Sequence, residues 1–502
     1  MGEEGESRIS VWPILILTMM VYYSVAPFWI VALIGIWYFS LRYLEEAGHL
    51  ERWNFDRVLG IILMARTSRG KSLLEYVSRN RKFWRLFGEL SIWVCFLLMA
   101  AVVYLISVSM ITAIRSPPQE ALPATDILLI PGVTSFVPFQ WPVLALVVAL
   151  LIHEYSHGIQ ARAHGMEVRN FGLLLVGPLP VGAFAEPEHL DMSVAPRRER
   201  IRLYAAGPSI NIVATFVSLI LLGVISSGFV AANPGVHALG VIDGGGAEEA
   251  GILPYDIITE INGVGIDDRA SFTDQMEALA AGDEALFTVI PHSGPEEGVA
   301  LEKTVTLGDR HQYYIDLCDG DEGCIEETEG TLEALGIESG DAFLGVSNLR
   351  SGTVQTDRFS YIVDGSVSPG KTVLLTAISP LMMLGTPIQY DGQTMDLRER
   401  SMLEAGDGVL ASALGTDGML ELFDCIFWMA WINFLLGFAN LIPIIPFDGG
   451  HIVKDTSHSL LSRIFKGENP MRVEILANRF SYYTTIVVLG IVIVPLVIPL
   501  FN

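Results

Sequence analysis

Residues 141–165 read WPVLALVVALLIHEYSHGIQARAHG, and five of them, His153-Glu154-Tyr155-Ser156-His157, put ionisable groups inside an apolar run. The run is long enough for a helix that crosses a bilayer, which takes about 20 residues. On a helix, positions i and i+4 share a face, so His153 and His157 project together, about 6 Å apart along the axis. Two neutral imidazoles at that spacing suit a tetrahedral Zn²⁺, and Glu154 between them is positioned to take a proton from water at the metal. Ionisable residues at membrane depth are costly and mark function. The stretch therefore predicts a water-activating zinc site within the membrane.

Composition agrees with a membrane setting. Of 502 residues, 51% are hydrophobic and 17% charged, and the mean hydropathy is +0.46, so much of the chain belongs in lipid. The net charge of −25 is concentrated. Between Ala231 and Leu420 stand 33 Asp/Glu against 8 Lys/Arg, which accounts for the whole imbalance. That segment reads as an acidic extracytoplasmic region, and nothing in it would neutralise phosphates, which argues against nucleic-acid binding. Lysine is rare, 6 against 25 arginines, a bias that resembles the carboxylate-rich proteins of halophilic archaea. Cys95 and Cys425 sit in apolar runs as core residues, whereas Cys318 and Cys324 flank an acidic loop, where an oxidising compartment would allow a disulfide.

The expected fold class is a polytopic α-helical membrane protein of about six spans, with a membrane-depth β-hairpin and an inserted α+β domain. Residues 1–140 form a two-span region, with spans at Val11–Ser40, where a short hairpin is the alternative to one tilted helix, and Leu90–Ile114. Between them, residues 41–87 hold ten Lys/Arg, which the positive-inside rule keeps in the cytoplasm. Residues 141–226 carry the His/Glu helix, a Gly/Pro-interrupted stretch at 168–187, and a fourth span at Ile201–Val224 containing Gly207-Pro208-Ser209-Ile210-Asn211. Irregular backbone at membrane depth must be covered by protein, so 168–187 reads as a hairpin. Residues 231–370 are the acidic region. Its opening, with short β-type runs, a glycine-rich turn and Asn262-Gly263, resembles a PDZ domain over about 233–310. Residues 371–421 read as an interfacial or re-entrant connector. Residues 422–502 supply two more spans, Phe423–Ile445 and Tyr482–Leu500. On this topology the chain is a multi-pass cell-membrane protein with the site toward the cytoplasmic half.

The fifth span ends in Asn440-Leu-Ile-Pro443-Ile-Ile-Pro446-Phe-Asp448-Gly449-Gly450. It runs in the same direction as the third, so Asp448 arrives at the depth of His153 and His157. A His₂Asp set leaves the fourth zinc position to water, as a catalytic site requires. The other histidines do not extend the set. His164 lies eleven residues after His153, and the glycine that the soluble metzincin pattern needs falls on Gln160. His451 reads as a helix-start residue, and Glu186 and Glu188 as solvated loop carboxylates.

With these elements assembled, the chain resembles the site-2 protease family of intramembrane zinc proteases. The resemblance rests on His153-Glu154-x-x-His157, Gly207-Pro208-x-x-Asn211 and Asn440-x-x-Pro443-x-x-x-x-Asp448-Gly449, and covers about residues 141–502. It implies one Zn²⁺ held by His153, His157 and Asp448, with Glu154 as general base. It also implies Asn440 near the substrate backbone and Asn211 in support, both as substrate-binding residues. The hairpin at 168–187 would offer an edge strand to an unwound substrate helix, and the PDZ-like module would take a peptide C-terminus. Partners would be transmembrane substrate proteins and the bilayer. Two other readings stay open: a membrane zinc peptidase with a cytosol-facing site and a glutamate ligand, and a non-catalytic scaffold presenting the PDZ-like module.

Overall fold

The computed structural model describes residues 18–19, 28–58, 60–67, 70–118, 123–127, 129–177, 179–467 and 469–500. Residues 11–17 and 20–27 of the first expected span lie outside the described residues; the rest of it is helical from Phe28, in α1 (Phe28–Glu46). The chain divides into two compact units. One comprises Met1–Leu219, Thr376–Gly392 and Asp424–Asn502; the other comprises Ile220–Leu375 and Gln393–Phe423.

In the first unit, β1 (Phe55–Val58) and β2 (Ile62–Thr67) follow α1, and the long helix α2 (Arg81–Arg115) comes next. The Asn80 side chain starts α2 by accepting from Phe83 N–H at 3.2 Å, which satisfies one of the donors a helix N-terminus leaves open. Helix α3 (Gln140–Ala163) carries the His/Glu cluster. It ends where Gly165 adopts φ +88°. There Met166 N–H donates to Ala161 O at 2.9 Å and Gly165 N–H to Arg162 O at 3.0 Å, the bond pair of a Schellman turn. This stop feeds the chain directly into β3 (Val168–Val176), and β4 (Leu179–Pro187) returns antiparallel to it.

The segment at 168–187 is thus two strands, and the sheet is larger than a hairpin. It has four antiparallel strands in the order β1-β2-β3-β4, with β4 at one end. Two strands come from residues 41–87, which the sequence presented only as a basic loop. Helix α4 (Arg197–Ser226) then packs on α2 through Ile92, Cys95, Met99, Ile201 and Ala205.

The second unit holds an antiparallel sheet of β5 (Val236–Val241), β6 (Ile257–Ile261), β7 (Glu284–Ile290), β8 (Leu301–Thr306) and β9 (Val346–Ser351), in the order β8-β7-β6-β5-β9. Helix α5 (Arg269–Glu277) buries Phe272 and Met276 into the same core as Val236, Ile258, Phe287 and Val305. The sheet is completed by β9, well past the expected boundary near 310. Between β8 and β9 the chain inserts α6 (Arg310–Asp316) and α7 (Glu322–Ala334), joined by a Cys318–Cys324 disulfide.

Helix α8 (Pro369–Met382) continues through a 3₁₀ turn and a short helix to Gln389. After α9 (Leu397–Ser401) comes α10 (Val409–Asn440), broken at Gly415, where φ is +66°. Helices α11 (Asp448–Ile464) and α12 (Pro470–Val497) close the chain.

Six helices among the described residues are long and apolar enough to cross a membrane: α2, α3, α4, Pro369–Gln389, α10 and α12. Pro369–Gln389, expected as a connector, meets that length and hydropathy. Pro380 stands inside α8, and Pro387 falls in the first turn of the short helix after the 3₁₀ turn, where a proline costs no hydrogen bond, so the stretch stays largely helical despite both. The span expected to reach Ile445 instead leaves the helix at Asn440, since Pro443 and Pro446 cannot continue it. The Ile445–Pro446 bond is cis.

At the polar end of this unit Asp455, on α11, is 3% exposed. It accepts from Arg197 Nη1 at 2.9 Å and from Arg200 Nε at 2.9 Å, both on α4. Arg197 also donates to Glu474 of α12 at 2.6 Å.

Candidate active site

Helix α3 delivers His153 and His157 on one face, their rings 4.8 Å apart. The helix break at Asn440 brings the chain back so that Asp448 opens α11 beside them. Each histidine is oriented by its Nδ1. His157 Nδ1 donates to the Leu203 carbonyl at 2.7 Å, which can only accept. His153 Nδ1 lies 2.7 Å from Asn211 Oδ1. Asn211 spends its amide hydrogens on Ala149 O at 3.1 Å and Asn433 Oδ1 at 2.9 Å, so its oxygen accepts from His153.

With each ring neutral, as a metal ligand must be, and its proton on Nδ1, both Nε2 atoms are bare. They face Asp448 Oδ2 at 3.2 Å and 3.4 Å, and one ligand atom from each of the three residues lies within 4.8 Å of the others. Unprotonated nitrogens and a carboxylate repel one another unless a cation lies between them. At zinc bond lengths of about 2.0–2.1 Å, tetrahedral ligands stand roughly 3.3 Å apart, close to the two spacings observed. The donor set therefore fits zinc.

The space for an ion is kept by a glycine. A Cβ on Gly207 would stand 2.4 Å from His157 Nε2 and 2.6 Å from His153 Nε2, so residue 207 tolerates no side chain. Gly449 and Gly450 play a similar part at Asp448, since a Cβ there would meet Leu441 O at 2.5 Å and the Ile444 carbonyl carbon at 2.6 Å. These contacts let the start of α11 lie flat on the preceding loop.

Glu154 points to the sheet. Its Oε2 accepts the Ala185 backbone N–H of β4 at 3.0 Å. Tyr155, next to it, stacks on Phe171 of β3 with centroids 5.3 Å apart. The base candidate thus sits between the cluster of candidate metal ligands and the last strand of the sheet.

The remaining expectations separate. Asn211 is fully buried behind His153, and both its amide hydrogens are given to Ala149 O and Asn433 Oδ1. Asn440 Nδ2 donates to Leu436 O at 3.0 Å, on its own helix. His451 stacks on Tyr204 at 4.8 Å and is not one of the converging donors. Glu188 is paired with Arg169. The signals missed in the sequence are Gly207, read only as part of a motif, and Asn433, an amide inside an apolar helix.

Comparison with known proteins agrees with this geometry. Residues 141–488 match peptidase family M50. The uncharacterized protein MJ0971 of Methanocaldococcus jannaschii is 30% identical over 216 residues, 43% of this chain and 56% of the relative. Zinc metalloprotease Rip1 of Mycobacterium tuberculosis is 24% identical over 355 residues, 62% of this chain and 82% of Rip1. Regulator of sigma-W protease RasP of Bacillus subtilis is 25% identical over 268 residues, 53% of this chain and 52% of RasP. The chain belongs to peptidase family M50. It is a membrane zinc metalloprotease, with zinc as its cofactor.

Proposed function

We propose that this protease hydrolyses peptide bonds within the transmembrane segments of membrane-protein substrates. The observation that carries the reading is the 3.0 Å bond from Ala185 N–H to Glu154, which puts the end strand of a sheet beside a His₂Asp cluster. A transmembrane helix hides its carbonyls in its own hydrogen bonds, so a substrate must unwind before it can react. Pairing of the unwound stretch with β4 supplies partners for the freed backbone groups. Substrate helices weakened by Gly, Pro or polar residues fit this requirement.

In this reading His153, His157 and Asp448 hold the zinc, which supplies Lewis acidity and lowers the pKa of water to about 7. Glu154 accepts the proton of the attacking water on its carboxylate and returns it to the departing amine nitrogen. Leu203 O and Asn211 hold the two imidazoles in the tautomer that binds through Nε2. Asn440 stands at the end of α10, where its side-chain amide meets the substrate backbone. The basic segments 41–87 and 197–202 face the cytoplasm and the acidic 231–370 region faces outward, where the sheet-bearing unit reads peptide ends as a PDZ-like module.

The test is cleavage of a single-span substrate by the full-length protein in proteoliposomes, with the products sized by mass spectrometry. A cut inside the hydrophobic segment is expected. Cuts confined to the flanking soluble regions would overturn the reading.

A further inference from the structure

The polar chain behind His153 runs one residue beyond Asn211. Asn433, on α10, is fully buried within the otherwise apolar stretch Cys425–Ala439 of that helix. Its Oδ1 accepts from Asn211 Nδ2 at 2.9 Å, and its own Nδ2 donates to Met429 O at 2.8 Å. Asn211 gives its other hydrogen to Ala149 O at 3.1 Å.

An amide can be turned end for end, exchanging oxygen for NH₂. Turned that way, Asn211 would aim its oxygen at Ala149 O and Asn433 Oδ1, two acceptors, and its NH₂ at His153 Nδ1. Asn433 cannot turn to accommodate it, because its oxygen would then face Met429 O. One orientation of each amide therefore satisfies every partner. In that orientation Asn211 presents an acceptor to His153, the imidazole proton stays on Nδ1, and Nε2 keeps its lone pair for a metal.

We infer that Asn433 is a positioning residue for zinc: together with Ala149 O it fixes which end of the Asn211 amide faces His153, and so helps set the tautomer of a ligand it does not touch. Partners that orient a ligating histidine typically change metal affinity by about 10–100-fold, and Asn433, one bond further out, falls at the lower end of that range. The inference rests on His153 being a ligand. His153→Ala protein that kept its zinc would remove that assignment, and the remaining variants are read only against a His153→Ala protein that loses it.

The experiment is zinc release from detergent-solubilised full-length protein into a chelator, followed by elemental analysis. Asn433→Leu, which removes both polar ends at similar volume, should release zinc about tenfold faster than wild type. Asn433→Asp should release it within about twofold of wild type, since a neutral carboxyl keeps an acceptor for Asn211 and an O–H donor for Met429 O. In an Asn211→Ala background, Asn433→Leu should add nothing, because the relay is already cut. If Asn433→Leu does not fold, Asn433→Ala makes the same comparison without added bulk. Wild-type release rates in the Leu and Ala variants would overturn the inference. So would losses that simply add in the double variant, which would make Asn433 a packing residue.

Discussion

The backbone N–H of Ala185 donates to Glu154 Oε2 across 3.0 Å, so the proposed base is held by the strand to which a substrate would pair. That amide cannot be serving β3 at the same time. A substrate carbonyl bonding to it would compete with Glu154 and release the carboxylate toward the reacting water. Ala185→Pro removes the N–H at a position where an end strand can tolerate it. Cleavage is expected to fall about tenfold, the loss lying mainly in KM, with zinc content unchanged. A wild-type KM would mean that substrates do not pair with β4 at this residue.

Glu154→Gln keeps the hydrogen-bonding shape of the side chain and removes its capacity to take a proton. Cleavage of a transmembrane substrate should be abolished while zinc stays near one per chain by elemental analysis. Stripping zinc from the wild type with a chelator should abolish cleavage too, and returning zinc should restore it. Turnover persisting in the Gln variant would exclude Glu154 as the base.

Asp448→Ala removes one of three converging donors and should weaken zinc retention at least tenfold. Gly207→Ala should do comparable damage without replacing any of the three, because the added methyl would meet both Nε2 atoms at 2.4 and 2.6 Å. Zinc content and cleavage measured together on both variants decide the point. A Gly207→Ala protein with full zinc would show that the ion does not occupy the space this glycine leaves.

The second unit has its own buried carboxylate. Glu399, on α9, is fully buried and is met by His237 Nε2 at 3.0 Å, Arg350 Nη1 at 3.1 Å and the Gln355 amide. Burial alone would raise its pKa, but the hydrogen bonds from His237 and Gln355 and the charge of Arg350 outweigh it and hold the carboxyl below its ordinary value. A carboxyl depressed in the folded state adds stability that is present above the unfolded pKa, about 4.3, and is lost as pH falls through the folded value. Thermal unfolding of this unit should therefore be steady from pH 7 to about 5 and weaken below it. Glu399→Gln should destabilise it at pH 7 by about 3 kcal/mol and flatten the acid limb. An unchanged acid limb would place that dependence elsewhere.

How much of this was readable in the sequence follows from how local each feature is. His153, Glu154 and His157 are fixed by helical periodicity alone, and their helix spans Gln140–Ala163 as the apolar run implies. Asp448 was legible because Asp448-Gly449-Gly450 closes an apolar span that runs in the same direction as the one carrying His153 and His157. Strands β1 and β2 were not, since Phe55–Val58 and Ile62–Thr67 are short and interleaved with arginine and aspartate, and their pairing partner β3 lies about a hundred residues on. β9 was hidden for a similar reason, as two inserted helices separate it from the sheet it completes. Asn433 looked like any amide in a membrane helix; only the direction of its hydrogen bonds ties it to His153.

The double grip of Arg197 and Arg200 on Asp455 has a mechanical meaning. Asp448 enters at the first turn of α11, and Asp455 lies two turns along the same helix, anchored to the α4 segment that also contributes Leu203, Gly207 and Asn211. Whatever tilts α4 will move Asp448 along with the partners of His153 and His157. If His153, His157 and Asp448 hold the metal as proposed, this linkage couples the position of Asp448 to Leu203 and Asn211, the residues that orient the two imidazoles.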